Sequence, residues 1–195
     1  MPLQQLINVC APPARPYNVP SAAQWSALEA SIGGRTFPSD YRAFLDRFGS
    51  GCFGSDEDGG FFDLIFLLSP APLPAEHGQN AVPLMTDLTG TLDAIRSKWP
   101  ERVPYPVWPE PGGLLYVGGS TTQDGIYWKT TGEPEAWTCA IGDYACDNWF
   151  DWDGDLTSLL AAIVTRRVPD WILEGPTRFP LVFRDLATLM NTPLV

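Results

Sequence analysis

The strongest constraint on the fold is a stretch of alternating segments between residues 114 and 143. It contains LLYVGG, GIYWKTTG and AWTCAIGD, which are rich in aromatic and β-branched residues, with turn-forming residues at 123–125 and 131–133. Short strands joined by tight turns pair with their neighbours as an antiparallel meander. A further apolar run, FFDLIFLL at 61–68, is bounded by turn signals and predicts another buried strand. The chain must therefore contain an antiparallel or mixed sheet.

Two helices are predicted ahead of these strands. Ser21 and Gln24 match a capping box that starts the first helix, and the glycines at 33–34 end it. The second helix lies in FPSDYRAFLDRFG, where Pro38 suits the first turn and Gly49 the end. Its apolar residues recur with helical spacing and predict an inward-facing aromatic stripe. This stripe consists of Tyr41, Phe44, Leu45 and Phe48.

The order of the predicted elements indicates an α+β fold with a central antiparallel or mixed sheet and helices packed on one face. A helix in LTSLLAAIV follows the meander, and a short one is expected near 92–98. We expect one domain at 21–167. The segment 1–20, with four prolines in APPARPYNVP, predicts an extended arm, and 168–195 a C-terminal extension packed on the domain.

The charge of the chain restricts its partners. Lys and Arg number 12 and Asp and Glu 23, which gives a net charge of −11. Such a protein repels nucleic acid and anionic membranes and attracts basic partners. No apolar run approaches the roughly 20 residues that span a bilayer, and the N-terminus lacks the pattern of a signal peptide. We therefore expect a cytoplasmic monomer with a protein partner and without nucleic-acid or membrane binding.

Patterns for catalysis or metal binding are weak. The single histidine, His77, lies in a proline-rich loop. DWDGD at 151–155 begins like an EF-hand calcium loop but lacks the glycine at the sixth position and the glutamate at the twelfth. The glycine-rich 118–125 lacks a phosphate-binding motif. We expect no catalytic residues, cofactor or metal. The four cysteines are Cys10, Cys52, Cys139 and Cys146. They form no C-x-x-C pair, so we expect free thiols, with a disulfide between Cys139 and Cys146 as the alternative.

Two stretches resemble motifs of the SUKH superfamily, which includes the yeast cell-wall-assembly and killer-toxin-resistance regulator. The first is an L/F-P-x-D-Y-x-x-F-L element between glycine breaks, and the second lies in the strand meander. The closing helix LTSLLAAIV is also similar, so the likeness covers about 22–167. The first motif is carried by Phe37, Pro38, Asp40, Tyr41, Phe44, Leu45 and Gly49. The second is carried by Gly119, Thr121, Gly125, Tyr127, Trp128, Thr130, Gly132, Pro134 and Trp137.

The resemblance implies an α+β protein without enzymatic activity. Many bacterial members of this superfamily are immunity proteins that bind and block a cognate polymorphic toxin, often a basic nuclease domain. The negative charge of this chain fits that role. We therefore expect a toxin-neutralising immunity protein. Its candidate partner-binding residues are the acids of two exposed turns: Asp56, Glu57, Asp58, Glu133 and Glu135.

The sequence alone is compatible with two other functions. Some members of the superfamily, including the fungal one, are regulatory scaffolds, so a regulatory protein-interaction module is the first alternative. The second is a carbohydrate-binding domain, because the eight tryptophans could line a sugar-binding groove.

Overall fold

A computed structural model of the chain describes residues 2–57, 60–72, 81–172 and 180–190. The helices are α1 Pro2–Val9, α2 Ala22–Ser31, α3 Ser39–Phe48, α4 Ala81–Lys98, α5 Leu156–Val164 and α6 Leu186–Met190. The strands are β1 Gly51–Glu57, β2 Gly60–Leu67, β3 Leu114–Ser120, β4 Gly125–Lys129, β5 Thr138–Gly142, β6 Trp149–Trp152 and β7 Leu181–Asp185. None of the helices in these ranges is long and apolar enough to cross a membrane.

The strands form one antiparallel sheet of seven strands in the order β6-β5-β4-β3-β2-β1-β7. This confirms the α+β class and the predicted meander of β3, β4 and β5. Strand β6 pairs with β5 and extends the meander beyond the segment 114–143 from which it was predicted. Strand β7 returns from the C-terminal segment and pairs with β1 along Gly51–Ser55. The extension expected to pack on the domain therefore supplies an edge strand of the sheet itself.

The aromatic stripe of α3 packs against one face of the sheet, as predicted. Tyr41 and Phe44 are almost completely buried, and the Tyr41 ring lies 5.0 Å from that of Trp128 in β4. The Phe44 ring lies 6.0 Å from Phe53 in β1. The two stretches that carry the SUKH resemblance thus meet in the core. Pro38 occupies the N-cap of α3 rather than its first helical position.

The end of α3 depends on glycine. Gly49 has a φ of 73° and packs against the backbone of Tyr17, where a Cβ would lie 2.8 Å from the Tyr17 nitrogen. A side chain at this position would need both an unfavourable φ and a backbone displacement. Gly49 therefore ends the helix, as expected, and also lets the N-terminal segment pass closely.

The N-terminal segment differs from the extended arm expected for residues 1–20. Residues Pro2–Val9 form α1, which packs on α3 and α5, and Leu6 is completely buried. The spacing of Leu3, Leu6 and Ile7 gives an apolar helical face, and burial of this face outweighs the effect of the prolines further along. Only the stretch after Cys10 remains non-helical up to Ser21.

Helix α4 is the exception to the single helical layer that the sequence predicted. Trp128 faces α3, whereas its neighbour Tyr127 lines a cleft together with Leu88 and Leu92 of α4. Adjacent residues of a strand point to opposite faces, so α4 covers the face opposite to α3. Helix α4 is also longer than the helix expected at 92–98. Pro83 lies in the first turn of α4, where proline is tolerated, and apolar residues recur with helical spacing along the rest of the helix.

Truncation of the α3 stripe should destabilise the fold strongly. We expect Phe44→Ala to lower the free energy of unfolding by about 3–5 kcal/mol, because a buried aromatic ring is replaced by a cavity. Arg47→Ala, on the exposed face of the same helix, should change it by less than about 0.5 kcal/mol. Urea denaturation measures both. Equal stabilities of the two variants would contradict the packing described for α3.

A second variant tests whether α1 belongs to the core. We expect Leu6→Ala to lower the free energy of unfolding by about 2–5 kcal/mol, because Leu6 is completely buried between helices. Gln5→Ala, at an exposed position of α1, is the matched control. A Leu6→Ala protein as stable as the Gln5→Ala protein would show that residues 2–9 behave as the arm that the prolines suggest.

Candidate functional site

A cleft of about 380 Å³ lies between α4 and the exposed end of β3, β4 and β5. Tyrosine rings form its floor, apolar side chains of α4 form one wall, and the segment after β5 forms part of its rim. We call it the α4 cleft. It is lined by Phe66, Leu88, Thr91, Leu92, Ile95, Tyr116, Ser120, Gln123, Asp124, Gly125, Tyr127, Asp143, Tyr144 and Cys146.

The floor is a pair of tyrosines facing each other across β3 and β4. Tyr116 and Tyr127 are cross-strand partners whose ring centroids lie 5.5 Å apart at 77°. They are only 7% and 8% exposed. Neither phenol forms a hydrogen bond within the part of the chain that the structure describes. Burial raises the pKa of Tyr116 to about 12 and raises that of Tyr127 further, so both phenols stay neutral at physiological pH.

Glycines allow the two phenols to lie flat on the sheet. Gly119 and Gly125 are cross-strand partners, and a Cβ on Gly119 would lie 2.6 Å from the Tyr116 hydroxyl. A Cβ on Gly125 would overlap the Tyr127 ring in the same way. The register of β3 shifts between Tyr116 and Gly118, which brings Tyr116 and Gly119 to one face although they are three residues apart. Both glycines belong to the motif noted in the sequence.

A buried threonine fixes α4 above this floor. Thr89 accepts a hydrogen bond at its Oγ1 from the Tyr116 backbone nitrogen at 3.1 Å. It donates in turn to the Met85 carbonyl oxygen at 2.7 Å. The paired residues of β2 and β3 end at Leu67 and Gly118, so the Tyr116 amide lies beyond that ladder, and burial makes the loss of its bond to Thr89 costly. The contact therefore sets the position of the helix that walls the cleft.

The rim carries a fixed negative charge and an exposed ring. Asp143 accepts hydrogen bonds from the Asp147 backbone nitrogen at 2.9 Å and from Asn148 Nδ2 at 2.6 Å. No lysine or arginine in the described ranges forms an ion pair with Asp143. The adjacent Tyr144 is 71% exposed, the most exposed large hydrophobic side chain described. Burial, with a smaller contribution from Asp143, raises the pKa of the Cys146 thiol below them.

A second carboxylate lies near Asp143, because Gly125 and Gly142 are cross-strand partners and Asp124 and Asp143 adjoin them at the same end of β4 and β5. Asp124 is 6% exposed, and its Oδ2 accepts hydrogen bonds from Ser120 Oγ and Thr122 Oγ1, each at 2.8 Å. These bonds close the β3–β4 turn, where Gln123 has a φ of 69°. Among the described residues that line the cleft, Asp124 and Asp143 are acidic and none is basic. Apolar walls with a few convergent polar groups are the usual form of a binding site.

The acids proposed as partner contacts from the sequence lie elsewhere. Glu135 caps α3, because its two carboxylate oxygens accept bonds from the Ser39 nitrogen at 2.9 Å and Ser39 Oγ at 2.7 Å. Glu133 is exposed beside it. Asp56 and Glu57 are the last two residues of β1, and Asp58 lies outside the described residues. Partner binding by these five acids stays a prediction.

Asp40 of the first motif also has a structural partner. Its Oδ2 accepts a hydrogen bond from the Thr157 backbone nitrogen at 2.9 Å, at the start of α5. Burial is the main cause that raises the pKa of Asp40, and the nearby charge of Asp155 adds to it. Asp155 caps the same helix, because its side chain accepts a hydrogen bond from the Ser158 nitrogen at 2.8 Å. The acids near α3 and α5 thus hold helix ends together.

The remaining chemical candidates form no catalytic centre in the described ranges. His77 lies outside them, and all four cysteines are free thiols. No group of three metal-ligating side chains is found among the described residues. Asp151 of DWDGD pairs with Lys129 at 2.7 Å and accepts from the Tyr105 hydroxyl at 3.0 Å.

Sequence reasoning missed Asp143, Tyr144 and Thr89 as parts of a site. A signal for Asp143 exists, because DYACDN after a predicted strand has the composition of an Asx turn. Comparison with protein-family models, with curated proteins and with solved structures gives no match for this chain.

The floor of the cleft gives a prediction about alkaline pH. An unfolded tyrosine ionises near pH 10, roughly two pH units below the pKa of buried Tyr116, so the folded state keeps its proton where the unfolded state has lost it. Stability should therefore fall as pH rises from about 10 to about 12, and less steeply in Tyr116→Phe. At neutral pH this variant should match the wild type within about 0.5 kcal/mol, because the hydroxyl has no hydrogen-bond partner among the described residues. Urea denaturation across this pH range measures both effects, and identical slopes would contradict them.

Proposed function

We propose that this protein is a non-enzymatic immunity protein that binds a cognate polymorphic toxin domain and neutralises it in the cytoplasm. The observation that carries the proposal is the α4 cleft, an aromatic cavity with an acidic rim and no basic lining residue in the part of the chain that the structure describes. The SUKH-like stretches support the immunity role, and the net charge of −11 supports a basic partner.

The charge gives the proposed complex a kinetic advantage. An immunity protein must capture its toxin before the toxin reaches its substrate. Complementary charge raises association rates, and the effect weakens as salt screens it. The acids of the rim are well placed for this steering, because Asp147 is exposed and only weakly paired, with Arg102 Nε at 3.7 Å.

Tyr144 provides an anchor for the same surface. Protein interfaces concentrate binding energy in a few aromatic and arginine residues surrounded by a polar rim. Tyr144 is an exposed ring bordered by Asp143 and by the opening of the cleft. A toxin surface that covers Tyr144 would also cover the cleft.

Co-expression with the C-terminal domain of any polymorphic toxin encoded beside this gene tests the proposal. We expect growth of the host to be restored, and the two chains to co-purify in equal amounts. A catalytically inactive toxin variant should co-purify equally well, since the proposed mechanism is binding. If the toxin neither binds nor is neutralised, while a host protein binds in equal amounts, the regulatory scaffold replaces the immunity role.

Charge reversal at the rim should slow association with the toxin domain. We expect the paired substitutions Asp143→Lys and Asp147→Lys to lower the association rate by about tenfold or more at low salt and to reduce its salt dependence. Asp46→Lys together with Asp153→Lys, at exposed positions outside the cleft, makes the same change in net charge. Biolayer interferometry at several salt concentrations measures the association rates. Equal effects of the two pairs would show that only net charge matters and that this rim is not the interface.

A further inference from the structure

We infer that the α4 cleft receives an arginine side chain of the partner protein, with the guanidinium against the Tyr116–Tyr127 floor and the Asp143 rim. This inference rests on the proposed function and adds the chemistry of the anchoring contact. It concerns one side chain of the partner, so it can fail while toxin binding stands.

The unpaired phenols are the first reason. Tyr116 and Tyr127 are more than nine-tenths buried and line the cleft, yet their hydroxyls have no partner within the described part of the chain. Neither oxygen is a fully enclosed unpaired atom, so each is accessible to a donor that enters the cleft. A phenol oxygen accepts a hydrogen bond from an N–H donor, and a guanidinium supplies five such donors in a fixed plane.

The ring faces and the rim charge favour a cation over a neutral donor. Aromatic rings have negative faces that attract cations, most strongly where water is excluded. Asp143 adds a carboxylate that has no cationic partner among the described residues. Its two oxygens each accept one bond already, and a carboxylate has capacity for about four. An incoming guanidinium can therefore share Asp143 without displacing the bonds that hold it.

The walls of the cleft suit the stem of an arginine. Leu88, Leu92 and Ile95 of α4 present apolar surface above the tyrosine floor. Arginine buries its methylene stem along apolar surface while its head finds polar partners. A volume of about 380 Å³ far exceeds the roughly 30 Å³ that one water molecule occupies, so a side chain has room to enter.

A pair of small probes tests the chemistry directly on the whole protein. N-butylguanidinium reproduces the arginine head and stem, and N-butylurea has the same shape without the charge. We expect saturable NMR shifts for Leu88, Leu92 and the two floor tyrosines with the cation, and at least about tenfold weaker binding of the urea. Equal affinity for both probes, or shifts only outside the cleft, would overturn the inference.

A variant without the Asp143 charge separates the effect of this carboxylate on guanidinium binding from the effect of the net negative charge of the protein. Asp143→Asn should weaken N-butylguanidinium by about threefold to tenfold and leave N-butylurea unchanged. Asp46→Asn, an exposed position on α3, makes the same change in net charge and should have no effect. Thermal unfolding of both variants confirms that the fold is intact. An unchanged guanidinium affinity in a folded Asp143→Asn protein would remove this carboxylate from the site.

The two levels of proposal fail differently. Neutralisation of the toxin together with no guanidinium binding in the cleft would overturn the arginine anchor and leave the immunity function standing. Guanidinium binding in the cleft without any binding of the toxin domain would overturn the immunity function and support the cation-binding chemistry of the cleft. Competition supplies the link, because N-butylguanidinium should lower the affinity for the toxin whereas N-butylurea should not.

Discussion

The packing of Tyr41 against Trp128 is the contact on which the rest of the structure depends. It joins α3 to the centre of the sheet, and Trp128 is completely buried between Tyr41, Phe37 and Trp137. The indole N–H of Trp128 has no hydrogen-bond partner in the described ranges. Such a buried donor costs about 1–3 kcal/mol, so ring packing must outweigh that cost at this position. The fold accepts an unpaired donor in order to fill its centre with a large ring.

Alternation along β4 links this core to the cleft on the other face. Trp128 points toward α3, so Tyr127 must point toward α4. A shift of β4 by one residue would exchange the two rings and lose both the core and the cleft floor. The packing that stabilises the fold therefore also sets the geometry of the proposed binding site, although no residue of α3 lines that site.

The acids of this chain serve two different purposes. Asp40, Asp155 and Glu135 accept hydrogen bonds from backbone nitrogens at the starts of α5 and α3, where a negative charge also meets the positive helix end. Asp143 instead holds a turn and leaves its charge beside a cavity. A net charge alone cannot separate these uses, because it counts a helix cap and a binding carboxylate equally.

Local patterns in the sequence determined much of the fold, and long-range packing decided the site. The capping box at Ser21, the end of α3 at Gly49 and the β3–β5 meander are set by neighbouring residues, and each was predicted correctly. The helical state of Pro2–Val9, the pairing of β7 with β1 and the opposite face of α4 depend on partners far along the chain. The cleft belongs to this second class. Its floor, wall and rim come from segments whose contact depends on a strand irregularity and one threonine hydrogen bond, which no local pattern reveals.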